Sequence, residues 1–305
     1  MSVTLYFAKL NLVSEDIYKL YENPSLRKNI SSALYAAVTS NPAWEKESIF
    51  LDETGEPHST VVEYSTHILH WDDTYTYIEG WLYKKSKLHY KTLNKETKEL
   101  ISHSTENTEG IRFTLDLNHG FVGYNTSARF GYKEFIEAFV TLINIGEEKT
   151  ENNYRYSIGL CTSGLSLDDI KKELSGIGRI KELRIRMQPP NPSEALLDEL
   201  QKRCDGVVKE FQEANVTEVE LFYSSKGSSG INITAPFIEE KIHDIQGLHS
   251  TLSVEESTKK GYVTVEATTA SGRKYSSGES KPFRKVIDVI EDLFDACIEA
   301  FRQLR

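Results

Sequence analysis

Between Thr60 and Tyr124 five segments of strand-forming composition follow one another: Thr60–Trp71, Thr74–Tyr83, Leu88–Leu93, Ile111–Leu117 and Gly120–Tyr124. They are rich in β-branched and aromatic residues, and turn-forming residues separate them, most clearly Asp72-Asp73 and Asn118-His119-Gly120. Such spacing points to an antiparallel, hairpin-rich sheet. Helices frame it. Leu26–Val38 places Leu26, Ile30, Ala33, Leu34, Ala37 and Val38 on one face and stops at Asn41-Pro42, while Tyr132–Ile145 repeats Phe135, Phe139, Leu142 and Ile143 at helical spacing. Val3–Leu10 alternates as a strand, Ser14 is placed to cap a helix, and the polar run Glu45–Ser59 reads as a loop.

Gly146–Asn153 is polar and charged, and the predicted boundary between two lobes, 1–149 and 150–305, falls there. The second lobe is read as a strand at Tyr154–Cys161, a short helix capped by Ser166, and a strand at Ile180–Gln188. In that strand Leu183, Ile185 and Met187 share one face, and Glu182, Arg184 and Arg186 share the other. Asn191, Pro192 and Glu194 form a strong helix start for a helix to about Ala214. Strands follow at Val216–Tyr223, Ile231–Thr234, Gly261–Thr269 and Arg273–Ser277, with a helix at Pro236–Gln246 and a long final helix over Pro282–Leu304. The expected class is α+β: two lobes of similar size, each with an antiparallel-rich sheet and packed helices. The final helix is apolar over more of its circumference than one packed surface needs, so Phe294 and Phe301 are candidates for a homodimer interface or for core.

With 305 residues, 36 Lys plus Arg and 46 Asp plus Glu, the chain has a net charge of -10. That balance counts against indiscriminate adhesion to nucleic acid, because phosphate binding is driven by Lys and Arg contacts. The charge is uneven, however. Lys171–Arg186 holds six basic residues against two acidic, and Lys259–Lys285 seven against two. No apolar run approaches the roughly 18 residues that span a bilayer, and the three scattered cysteines do not form a disulfide framework. A cytoplasmic protein without a membrane segment is expected.

Motifs that would force an enzymatic reading are missing. There is no phosphate-binding Gly-rich loop, no C-x-x-C, no H-E-x-x-H and no nucleophile elbow, so neither cofactor nor metal is expected. His67 and His70 lie three apart on a strand, which sends their side chains to opposite faces. Cys161 has no identifiable base, and Asp72-Asp73 reads as a hairpin turn. What remains is a basic surface. Arg184 and Arg186, with Arg179 and Lys181 at the strand entry, suit the tracking of phosphates, and Arg273, Lys274, Lys281, Arg284 and Lys285 form a second row.

The hairpin Gly120-Phe-Val-Gly-Tyr124 followed by Ser127-Ala-Arg-Phe130 and a helix, and the closing stretch from Gly261 through Ser280 into a helix, resemble in layout RexA of lambda-type phage exclusion. The KwaB component of the Kiwa defence system is comparable, and Arg179–Pro192 is similar to bacterial proteins found near defence genes. The resemblance implies a two-lobed, dimeric α+β protein that binds DNA with little sequence preference in anti-phage immunity. Two other expectations stand beside it: an adaptor or inhibitor subunit that binds a protein from the same operon, and a metal-dependent nuclease.

Overall fold

The computed structural model describes residues 2–51, 57–71, 74, 76–94, 96, 98, 100–189, 211–238, 240–241, 253–289 and 292–305. The elements run β1 (Val3–Leu12), α1 (Asp16–Glu22), α2 (Leu26–Thr39), β2 (Ala43–Leu51), β3 (Pro57–Trp71), β4 (Tyr77–Leu93), β5 (Leu100–Asp116), β6 (Phe121–Tyr124) and α3 (Tyr132–Lys149). They continue with β7 (Tyr156–Leu160), α4 (Leu167–Gly176), β8 (Ile180–Met187), β9 (Val219–Ser224), α5 (Val254–Lys259), β10 (Val263–Thr269), β11 (Lys274–Ser276), β12 (Arg284–Ile287) and α6 (Leu293–Leu304). The fold is α+β, as the sequence indicates. The helix expected over 192–214 and the Asp72-Asp73 turn lie mainly or wholly outside the described residues.

Eight strands form the larger sheet, in the order β12-β1-β6-β5-β4-β3-β2, with β7 also on β1. One edge of β1 carries β6, while its other edge is shared by β12 along Val3–Tyr6 and β7 along Ala8–Leu12. Strands from both ends of the chain therefore close one sheet across the 149/150 position. Both faces of this sheet are covered. Helices α1–α3 bury Leu10, Leu34, Leu82, Phe113, Phe135 and Phe139 on one side, and α6 buries Phe7, Phe121, Cys297 and Phe301 on the other. The second sheet, β11-β10-β8-β9, buries Leu183, Ile185 and Val265 with Ile170 and Leu174 of α4.

Several expectations are corrected. Glu45–Ser59 is not simply a loop, because β2 pairs with β3 from Ala43↔Ser65 to Leu51↔Pro57. Its polar residues are tolerated in a ribbon exposed on its outer face. Leu88–Leu93 is no separate strand but the end of β4, paired with β5 through Leu93↔Leu100. Helix α3 continues through Gly146, where a Cβ would collide with the backbone of Ala37, so glycine lets α2 and α3 touch. No strand forms at Ile231–Thr234. The expected final helix is divided: residues 284–287 pair antiparallel with β1 and only Leu293–Leu304 is the described helix α6. Alternation explains this, since Ile287 is buried while Val286 is exposed.

His67 and His70 share a face after all. The β3–β4 register shifts between Ile68 and His70, so His67 stands opposite Trp81 and His70 opposite Glu79. This bulge absorbs Leu69 and cancels the parity that simple alternation assigns.

Candidate functional site

The outer face of the four-stranded sheet is set by β8, whose alternation buries Leu183, Ile185 and Met187 and turns Glu182, Arg184 and Arg186 the other way. Register places Arg184 opposite Phe222 of β9 and Glu266 of β10. The Arg184 guanidinium lies 5.5 Å from the centre of the Phe222 ring, which is 50% exposed. A groove of about 410 Å³ runs beside them, lined by Lys133, Arg184 and Lys274, by Glu182, Glu266 and Glu279, and by Phe222 and Tyr275, with Lys133 paired to Glu279 at 2.7 Å.

This face is polar but electrically balanced. Arg184 Nε is 3.1 Å from Glu220 and Arg186 3.7 Å from Glu266. Arg179 and Lys181 donate to the carbonyls of Ser228 and Gly227, tying down the turn after β9. Lys281 lies 3.5 Å from Asp169, and Lys285 is paired with Glu299 of α6. Arg273, Lys274 and Arg284 are exposed. The Ala270 N–H donates to the Arg179 carbonyl at 2.9 Å, which brings the 270–273 turn to the end of β8 where Arg179 stands. Of the expected rows, Arg184 and Lys274 share the groove, and the 270–273 turn reaches the end of β8 at Arg179. Arg284 and Lys285 sit apart on the edge strand β12 of the other sheet.

Phe301 is not an open interface residue. It is fully buried within the chain, 6.1 Å from Phe7, 6.4 Å from Tyr77 and 6.0 Å from Phe121, ring centre to ring centre. Phe294 is half-buried against His70 and Tyr77. Cys161 is buried as well, and burial pushes its thiol up to about 12, which disfavours the reactive thiolate. Among the described residues, no three His, Cys, Asp or Glu side chains gather as a metal site. None of the helices there is long and apolar enough to cross a membrane.

Two charged features escape a reading centred on the C-terminal half. The first is a pair of ribbons. Pairing between β3 and β4 ends at Glu63↔Lys85, yet β2–β3 and β4–β5 each continue, so two hairpins extend side by side from one end of the sheet. Residues 84–109, both strands of one hairpin, hold six lysines against four glutamates, with Lys85 3.8 Å from Glu106, whereas residues 45–63 hold six carboxylates against one lysine. Glu45, Glu47 and Glu63 share the outer face with Lys85, Lys87 and Lys91. Five exposed large apolar residues, Ile49, Val61, Leu93, Leu100 and Ile101, also lie on these two ribbons.

The second is a cavity at the far end of β1, lined by Lys9, Arg27, Lys260 and Arg305 with His119 and Tyr156. Lys9 is only 4% exposed, and its ammonium donates to the His119 carbonyl at 2.8 Å. Burial, and then Lys260 and Arg27, pull its pKa down from 10.5 to about 7. Asp116 stands behind the wall. Burial works to raise its carboxyl, but hydrogen bonds and charge from His119 and Arg305 hold it below the usual carboxylate range. One signal in the sequence marks this place, a lone lysine in the otherwise apolar strand of Val3–Leu10.

No curated protein matches the chain. The family described as a domain of unknown function, DUF4747, matches residues 65–304, a span from β3 to the end of α6, and the chain belongs to that family.

Proposed function

We propose that this protein binds nucleic acid, DNA foremost, with little sequence preference and no catalysis, metal or cofactor of its own, in cytoplasmic anti-phage defence. The observation that carries the binding is Arg184 stacked over a half-exposed Phe222 on an open sheet face, beside a groove that also holds Lys274. Exposed aromatics on a sheet offer bases a stacking surface, and neighbouring cations hold the backbone. Because Glu220 and Glu266 neutralise Arg184 and Arg186 in part, stacking supplies more of the affinity here than a strongly basic rail does. The defence role rests only on the resemblance in sequence layout of Gly120–Phe130 and Gly261–Ser280 to phage-exclusion proteins.

Charge reversal of Arg184, Arg186, Arg273 and Lys274 together tests the reading. A folded variant that retains DNA and its salt dependence unchanged overturns it. Cleavage of plasmid DNA that requires a divalent metal overturns the nonenzymatic part.

The protein-binding reading is favoured by a different observation, the oppositely charged ribbons with their exposed apolar residues. In a two-fold dimer the acidic ribbon of each copy lies against the basic ribbon of the other, and the contact is made twice. A homodimer of this kind is tested by charge exchange. Lys85→Glu/Lys87→Glu/Lys91→Glu and Glu45→Lys/Glu47→Lys variants should each sediment as monomers and form a heterodimer when mixed. Variants that remain dimers alone, or a monomeric wild-type chain, remove the ribbons as a self-association surface. A monomeric wild-type chain would leave them to an operon-encoded protein partner, the adaptor reading.

A further inference from the structure

We infer that Glu182 reads a guanine base in a single strand held on the outer face of the second sheet; the inference rests on the nucleic-acid reading above and adds a preference at one base to it. Three carboxylates line the groove beside Phe222. Glu266 lies 3.7 Å from Arg186, and Glu279 is paired with Lys133 at 2.7 Å. Glu182 differs from both. It is exposed and, among the described residues, has no cation within ion-pair distance. An unpaired carboxylate beside the track of a polyanion repels phosphates, so what it can accept from a nucleic acid is a donor on a base.

The register sets Glu182 in a row of complementary groups. Glu182 stands opposite Thr268 of β10, and Thr268 stands opposite Lys274 of β11. All three line the groove. Neighbouring strands lie about 4.8 Å apart, so the Cα atoms of Glu182 and Lys274 are separated by roughly 10 Å. Across that span the row presents a carboxylate acceptor, then a hydroxyl, then an ammonium donor. Lys274 is exposed and, among the described residues, makes no ion pair. Two residues along β8, Arg184 with Phe222 opposite it supplies the surface on which a base stacks.

Base chemistry selects the ligand. Guanine is the common base with two adjacent donors on its Watson–Crick edge, N1–H and the N2 amino group, and these match the two oxygens of one carboxylate. Beside them O6 and N7 are acceptors, which suit the Thr268 hydroxyl and the Lys274 ammonium. Adenine and cytosine offer one amino donor next to an unprotonated ring nitrogen, whose lone pair a carboxylate repels. Thymine offers a single imino donor between two carbonyl oxygens. The row therefore fits guanine in the order of its groups, and its small net charge leaves the phosphates to other cations.

Fluorescence anisotropy of the full chain at low salt tests this with oligothymidine strands that carry one central guanine, adenine, cytosine or hypoxanthine. The guanine strand should bind about tenfold more tightly than the adenine, cytosine and all-thymine strands, the scale of one bidentate base contact. Hypoxanthine, which lacks the N2 amino group, should lose most of that gain. Glu182→Gln should bring the guanine strand to the level of the others and leave all-thymine binding unchanged or stronger, because a negative charge departs. A melting curve checks its fold, which a change at an exposed side chain should not disturb. Equal affinity for every strand overturns the inference and leaves the sequence-tolerant reading in place. A guanine preference that survives Glu182→Gln, or hypoxanthine bound as tightly as guanine, overturns it as well. Binding of no strand overturns both the inference and the nucleic-acid reading.

Discussion

The Arg184 guanidinium lies 5.5 Å above the centre of the Phe222 ring and within 3.1 Å of Glu220, so stacking and an ion pair share one side chain on an open sheet face. That arrangement fixes the plane of Arg184 without burying it. Phe222→Ala should therefore change stability little, since the ring is half-exposed. It should weaken single-stranded DNA binding by about tenfold, within the 1–3 kcal/mol measured for one base–aromatic stack. Fluorescence anisotropy with a short oligonucleotide, alongside a melting curve, checks both parts.

Glu220 and Glu266 restrain the two arginines of β8. Replacing both with glutamine should strengthen DNA binding and steepen its salt dependence, because Arg184 and Arg186 then answer to phosphates rather than to carboxylates. Binding isotherms at several salt concentrations give the slope directly. Unchanged or weaker binding would place the contact surface elsewhere.

Phe301 and Gly123 report on the docking of α6. Phe301→Ala should destabilise by about 3–5 kcal/mol, the usual cost of removing a buried ring. A Cβ on Gly123 would strike the Cys297 sulfur, so Gly123→Ala should also destabilise, through displacement of α6 rather than through loss of area. Neither change should act through oligomeric state. Denaturant melts at several protein concentrations separate the two causes, since only a loss of assembly varies with concentration.

Glu147 is fully buried in α3, and neither carboxylate oxygen has a partner. Burial raises its pKa from 4.5 to about 7, with Arg155 opposing weakly. Between those values the folded chain holds a proton that the unfolded chain has released, so this group's contribution to stability falls as pH rises from about 4.5 to 7 and is flat above. Glu147→Gln should be more stable than wild type at pH 8, and the difference should vanish near pH 4. Paired urea melts at the two pH values check the sign.

Helical and strand periodicity made much of the fold legible. The faces of α2 and α3, the Ser166 cap, where Asp169 completes a capping box, and the inward Leu183–Ile185–Met187 row all follow from local spacing. What local spacing does not carry is pairing between distant segments. Residues 284–287 become a strand only because β1 offers an open edge, and 43–51 do so only because β3 lies beside them. The bulge that puts His67 and His70 on one face is equally invisible, since one extra residue reverses the parity of everything beyond it. The candidate site was legible as a list of cations but not as a balance of charge. Glu220 and Glu266 oppose Arg184 and Arg186 across strands, and no spacing rule within one segment announces that. Lys9, Arg27, Lys260 and Arg305 meet only after the chain has closed on itself.

The most direct measurement is a mobility-shift titration of the wild-type protein with single- and double-stranded DNA at about 50 and 200 mM salt. Over this range a protein with several phosphate contacts loses a large factor in affinity. Binding should be salt-sensitive, stronger for the single strand, and reduced by Phe222→Ala. No binding of either DNA at the lower salt would contradict the proposed function.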